Sequence, residues 1–167
     1  ELGDKTDKDG YSKGFEAINN FFIKAGANFK YLATDYKYKG LLMLKTGKDS
    51  LGILEMEKAI LMDTSLTRGI YSEIANNFYK NKKNEKAILY YEKKLAFNPN
   101  SLNNSDWFNF GRACYNLAQP AQVEANAMRD ALAKKKKNTE SPEVKKKEAE
   151  AAVLYIKADS AFSKSAQ

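Results

Sequence analysis

An all-α chain of paired antiparallel helices is what this sequence predicts, and three observations predict it. First, residues of like kind return at a fixed distance. Tyr36, Tyr71 and Trp107 stand 35 and 36 residues apart, and Gly40, Ala75, Gly111 and Met43, Phe78, Cys114 keep those spacings. Ala17, Gly52 and Ala87 step by 35, as do Phe21, Met56 and Tyr91. Self-similarity at this period marks stacked helical units. Second, apolar residues within each unit recur three and four apart, the period of one helix face. Third, 43% apolar content with 20 aromatics is enough to build a packed core.

The stretch 68–99 is the clearest unit. Its first helix carries Tyr71, Ala75 and Phe78 on one face, its second carries Ala87 and Tyr91, and it closes on Pro99. A pair this short cannot bury both faces alone, so it needs neighbours of the same kind. Residues 1–10 are polar and carry two glycines, and read as a loop or frayed end. Residues 11–25 read as a helix with Phe15, Ile18, Phe21 and Phe22 inward. By the repeat spacing this is the second helix of a pair whose first helix is missing. The next helix spans 28–46, entered after Gly26. Its Lys39 stands where Ile74 and Phe110 stand in the other units, and its stem can lie on apolar surface while the amine reaches water. Gly47 breaks the chain, and Asp49 or Ser50 can cap a helix reaching Met62, with Ile53, Met56, Ala59 and Ile60 inward. Thr67 is the expected cap before Arg68, and Asn84 before the helix carrying Ala87.

The third unit begins regularly, with Trp107 and Gly111 on a helix reaching about Leu117. The spacing then fails, because Val123 and Ala127 do not supply the small-then-aromatic pair. Pro120 opens a new helical run, residues 138–140 break it, and Ser141, Pro142 and Glu143 start a long helix to about Ala166. Ala158 and Phe162 then supply the delayed pair. The expected organisation is one domain over 1–167. Its units lie at 33–66 and 68–100, and a third, 104–118 with 151–167, is interrupted by a helical insertion at 119–150. Two other registers stay open: Ala151, Tyr155 and Ala158 as the signature, or 120–136 as the true second helix with 142–166 opening a further unit. Both ends read as cut from a longer array.

These spacings and residue classes resemble the tetratricopeptide repeat (TPR) family. In that family helix A shows aromatic-x3-Gly/Ala with an apolar residue three further on. Helix B shows Ala-x3-aromatic and ends near a proline. The stretch 68–99 matches nearly every one of those positions. The resemblance implies a right-handed superhelix of helix pairs whose A helices line a concave groove. It also implies a non-catalytic scaffold that binds a protein or peptide there. The groove stripe would be Lys37, Leu41, Leu44 and Lys45, then Ser72, Asn76, Tyr79 and Lys80, then Phe108, Arg112, Tyr115 and Asn116. Such a mixture of cations, amides and aromatics suits a peptide of acidic character. A five-residue carboxylate clamp found in some members would fall on Lys37, Leu41, Glu73, Ser105 and Asn109. Only Lys37 fits it and Glu73 would repel a carboxylate, so that clamp and its chaperone partner are not carried over. The lysine-rich, arginine-poor character also resembles bacterial members.

Charge suggests a second reading. The net charge is +7, from 28 basic against 21 acidic residues, and residues 134–147 hold seven lysines against two glutamates. This is a basic module that could bind nucleic acid or anionic lipid through the insertion tip. Arg68, Arg112 and Arg129 are the only arginines, which weighs against a nucleic-acid reader because bidentate recognition favours arginine. Signs of catalysis are few. Without histidine there is no imidazole base or ligand, and no phosphate-cradling glycine motif is present. No enzyme activity, cofactor or metal is expected. Cys114 takes a packing position, and a catalytic thiol would want a histidine. Glu55, Glu57, Glu85 and Glu92 read as surface partners of neighbouring lysines. No apolar run approaches the length of a transmembrane helix. Compartment and oligomeric state are left open.

Overall fold

The computed structural model describes the backbone of residues 3–166 and the side chains of 9–166. Among these residues every regular element is helical: α1 (Gly3–Ala25), α2 (Ala33–Lys45), α3 (Asp49–Met62), a 3-10 turn (Thr64–Leu66), α4 (Thr67–Lys80), α5 (Asn84–Phe97), α6 (Asn104–Lys134) and α7 (Pro142–Ser165). The chain divides into two compact units, Glu1–Asn77 and Phe78–Gln167.

In the first unit α1 begins at Gly3, so the stretch expected as a loop is helical from there, and residues 1 and 2 lie outside the described part. A glycine inside a helix costs only about 1 kcal/mol, and Gly10 is tolerated. Tyr11, Phe15, Ile18 and Phe22 are partly buried, while Ala17 and Phe21 are exposed. The repeat spacing therefore misplaces this helix. Gly14 backs onto Leu42 of α2, with a Cβ there only 3.2 Å from its Cδ2, and the inward face of Tyr11, Gly14, Phe15, Ile18 and Phe22 is centred about 100° from the one carrying Ala17 and Phe21.

Gly26, at φ +73°, ends α1, and α2 starts at Ala33 rather than 28. The intervening turn has its own fastening. The Tyr31 hydroxyl donates to the carbonyls of Phe22 and Gly26, each at 3.0 Å, and its ring stacks on Phe22 at 4.4 Å. The Asp35 carboxylate accepts the Leu32 N–H at 2.8 Å and so caps α2.

The α2–α3 pair is closed by glycine against glycine. A Cβ on Gly40 would stand 2.6 Å from the Gly52 carbonyl and from Met56 Cγ, and one on Gly52 would stand 2.7 Å from the Gly40 carbonyl. Gly47, at φ +81°, makes the turn between them. Lys48 precedes α3 and gives no side-chain cap. After α3, Asp63 accepts the Ser65 N–H at 2.9 Å, and hydrogen bonding with the Ser65 side chain, then with this N–H, holds its carboxyl below the usual range. Thr67 is already helical, and its hydroxyl donates backward to the Thr64 carbonyl at 2.7 Å rather than capping.

In the second unit Asn84 is the first helical residue of α5 and not its cap. Asn103 caps α6 by accepting the Asp106 N–H at 2.8 Å. The expected break near Pro120 does not occur: α6 runs unbroken through it. Pro120 is exposed, and the α6 residues on either side, Ala118 and Ala125, are buried. The packing of α6 and α7 offsets the lost backbone bond. Ser141 accepts the Val144 N–H at 3.4 Å and Pro142 occupies the first turn of α7, as expected. Gly111, Ala118 and Ala125 on α6, with Val144, Ala151, Ala158 and Ala161 on α7, are among the buried small residues of this long pair. Gly111 sits under Phe162, where a Cβ would come within 2.8 Å of the ring and 3.2 Å of the Ala158 carbonyl. Residues 119–150 thus form the far half of α6, a turn and the near half of α7.

Candidate interaction surfaces

The residues expected in a binding groove fall in both units. In the first, Lys37 pairs with Glu73 at 3.5 Å, joining α2 to α4. Its neighbour on the stripe, Leu44, is a correction. It is buried and packs against Gly52, because the face that meets α3 takes in this position. Lys45 lies with its amine 5.8 Å above the Tyr11 ring, so it leans on α1. Leu41, Ser72 and Asn76 are partly buried.

In the second unit Tyr79 is partly buried and Lys80 exposed. Phe108, Arg112 and Tyr115 come together on α6, four and three residues apart, which is one face of the helix. Phe108 is 50% exposed and Tyr115 42%. Each ring rests on an aromatic of α7: Phe108 on Phe162 at 5.9 Å and Tyr115 on Tyr155 at 5.5 Å. Arg112 is exposed between them. The two rings are therefore held in place before any ligand arrives, which lowers the ordering cost of binding. Asn116 is partly buried beside them.

A second surface was not anticipated. A cleft on the second unit has α6 as its floor and α5 and α7 as its walls. Lys157 of α7 reaches Glu92 of α5 at 2.6 Å and forms a strut across it. That hydrogen bond is the chief reason the Lys157 amine is held above its ordinary range. A cavity of about 620 Å³ is lined by Leu117, Pro120, Ala121, Val153 and Leu154, with Glu85, Glu124, Glu150 and Lys147 around them. One of about 350 Å³ includes Trp107, Phe110 and Ile156. Lys164 stands 4.4 Å over the Trp107 ring. None of the ten residues Lys37, Leu41, Lys45, Ser72, Asn76, Tyr79, Lys80, Phe108, Arg112 and Tyr115 lines either cavity. Cys114 is buried, and burial pushes its thiol up to about 11.

Compared with protein-family models, with curated proteins and with solved structures, the chain matches none of them. Its chemistry is read from its own residues.

Beneath these surfaces lie two ion pairs. Lys39, the cation in a core column, pairs with Glu55 at 3.0 Å and lies 4.4 Å over the Phe22 ring. Glu55 is buried here, a correction to its expected place on the surface, because Lys39 draws it inward. The second pair is Lys94 with Asp106 at 2.6 Å, both about 2% exposed. Lys94 follows Ala59 by 35 residues and Asp106 follows Ile70 by 36, and both of those apolar residues are fully buried. That substitution of an ion pair for an apolar pair was legible in the spacing. The same comparison that exposes Lys39 exposes Lys94. Ser101 donates to the Lys94 carbonyl at 2.9 Å. Tyr91 titrates above its ordinary value through burial and then the Asp106 charge. Among the described residues no group of three or more acids or cysteines is placed to hold a metal ion, and no helix is long and apolar enough to cross a membrane.

Proposed function

We propose that this chain is a non-catalytic interaction module of TPR-like helix pairs that binds a protein or peptide segment on the exposed faces of its A helices. The observation that carries the reading is the Phe108–Arg112–Tyr115 face. It sets two half-exposed rings on α7, with the exposed Arg112 between them along α6. Aromatic and arginine side chains of this kind are the usual anchors of an interface. The ligand that suits them is an extended or helical segment with apolar side chains for the rings and a carboxylate for Arg112. By the repeat spacing, Lys37, Leu41, Ser72 and Asn76 of the first unit, and Tyr79 and Lys80 of the second, hold the corresponding positions on their own helices.

Two contacts support the repeat architecture. Gly40 meets Gly52 and Met56, and Gly111 meets Ala158 and Phe162. In each pair the small residue of the first helix faces the small-x3-large signature of the second, which favours the Ala158–Phe162 register. A superhelical arrangement of the pairs belongs to the proposal and follows from the resemblance.

The test is selection of binders from a displayed peptide library against the immobilised chain, with affinities of the recovered peptides then measured. Arg112→Ala and Tyr115→Ala should each weaken a groove ligand by tenfold or more, about 1.4 kcal/mol or above. Equal affinity for the wild type and for a variant combining Asn76→Ala, Tyr79→Ala and Arg112→Ala would sink the assignment.

A further inference from the structure

We infer that the far end of the α6–α7 hairpin is an electrostatic docking surface for an anionic lipid leaflet. The proposal is independent of the peptide-binding reading and uses none of its residues.

Helix lengths make the end project. At about 1.5 Å per residue, α6 is roughly 46 Å long and α5 roughly 21 Å. Glu85, in the first turn of α5, lines the same cavity as Glu124 and Lys147. Residues 124–134 of α6, and those facing them on α7, therefore run on about 15 Å past the start of α5. The overhang has its own packing, with Ala125 and Val144 fully buried.

Charge is sorted along this overhang. Near its base the cations have partners. Lys147 reaches Glu124 at 2.9 Å, and Arg129 reaches Glu140 at 3.4 Å and Glu148. At the tip Lys134, Lys135, Lys136, Lys137, Lys145 and Lys146 are all exposed, and none has an ion-pair partner among the described residues. The turn that bears Lys135, Lys136 and Lys137 is fastened. Lys135 and Lys137 both donate backbone N–H groups to the Leu132 carbonyl, at 3.1 and 3.0 Å, and Lys136 takes a left-handed φ of +51°. Six unpaired lysines are thus gathered at the end of the hairpin, on the last residue of α6, the tied turn and the start of α7, and they outnumber the two carboxylates there, Glu140 and Glu143.

A lipid surface fits this tip better than a nucleic acid does. Two packed helices are about 20 Å across, too wide for a major groove of about 12 Å. Residues 124–147 contain no aromatic on which a base could stack, and their one arginine is already paired. A flat anionic leaflet asks for neither. It attracts clustered lysines by Coulomb force within a Debye length, and four to eight of them are the usual number.

The experiment is co-sedimentation of the full chain with vesicles of phosphatidylcholine, alone or with about one-third phosphatidylserine. Binding is expected to the serine-lipid vesicles and not to the neutral ones, falling steeply as salt rises. Replacing Lys134, Lys135, Lys136 and Lys137 by glutamine should weaken it by about 600-fold, at roughly fivefold per lysine. Replacing them by arginine should preserve it, and Arg112→Ala should leave it unchanged. Circular dichroism of the glutamine variant should show unchanged helix content, since the four side chains are exposed. The proposal is overturned if the wild type ignores anionic vesicles at low salt, if the glutamine variant binds equally well, or if duplex or single-stranded RNA competes the chain off the vesicles at equal phosphate.

Discussion

The α2–α3 pair and the α6–α7 pair are each formed by two successive helices and are held together differently. In α2–α3 the backbones touch. Gly40 and Gly52 each leave space that the other's carbonyl fills, and helices of 13 and 14 residues suffice. In α6–α7 only one partner is a glycine, its space is filled by a phenylalanine ring, and the helices run to 31 and 24 residues. Close approach concentrates the contact at one point. Length spreads it over buried alanines and Val144, so a single flaw costs less. The ion pairs differ in the same sense: Lys39–Glu55 keeps some contact with water, and Lys94–Asp106 keeps almost none.

The strongest way to probe that difference is to leave a buried charge alone. Lys94→Met strands Asp106 and should cost about 3–5 kcal/mol, read as a lower urea midpoint. Adding Asp106→Leu should restore most of the loss, because the same columns already hold Ala59 and Ile70 in the first unit. Lys39→Met should cost clearly less, since Glu55 retains Lys58 at 3.5 Å and partial solvent. Equal losses for Lys94→Met and Lys39→Met would break the comparison.

Alkaline pH provides the next test. Cys114 stands in the column that Met43 fills in the first unit. Its folded thiol titrates near 11 against an ordinary 9.0, so the unfolded chain loses this proton first. The stability the thiol contributes is intact below about pH 9 and declines as pH rises toward about 11, by roughly 2–3 kcal/mol at most. Urea unfolding across that range should show the decline, and Cys114→Ala should remove this part of it. The thiol should also react slowly with iodoacetamide until the chain unfolds.

Somewhat smaller is the effect of crowding the glycine contact. Gly40→Ala places a methyl on backbone that cannot swing aside, at about 3 kcal/mol, against a gain of about 1 kcal/mol in helix propensity. A net loss of about 2 kcal/mol is expected by thermal or urea unfolding. A neutral result would mean that α2 and α3 can separate freely, and that their contact is not what fixes the pair.

Much of this was legible in the sequence because it follows from periodicity. The columns that hold Gly40 and Gly111, the one that holds Gly52, the delayed Ala158–Phe162 pair, the Ser141–Pro142 helix start and the cation at Lys39 are all visible in the sequence. What escaped the sequence depends on a neighbour in space. Ala17 and Phe21 have the right spacing but the wrong orientation, because α1 docks through Gly14 on Leu42. Pro120 suggests a break until α7 is there to hold α6 on both sides of it. The Phe108–Arg112–Tyr115 face could be named as a stripe. That its rings rest on Tyr155 and Phe162, some 40 to 54 residues away, could not.

The smallest expected effect is at Gly111, and it most directly measures what length contributes. An alanine there meets Phe162 ring atoms at 2.8 and 2.9 Å, a clash as short as those at Gly40. The obstacle is a side chain, however. Phe162 is only partly buried, with room to turn toward solvent, and the Ala158 carbonyl behind it is 3.2 Å away. Repacking of the ring at about 1–2 kcal/mol is nearly matched by the helix gain of about 1 kcal/mol. Gly111→Ala should therefore shift stability by less than about 1 kcal/mol, while Phe108 loses its seat on Phe162 and the groove ligand binds more weakly. If Gly111→Ala instead destabilises as much as Gly40→Ala, the long pair is pinned at one point after all, and the buried contacts along α6 and α7 are not sharing the load.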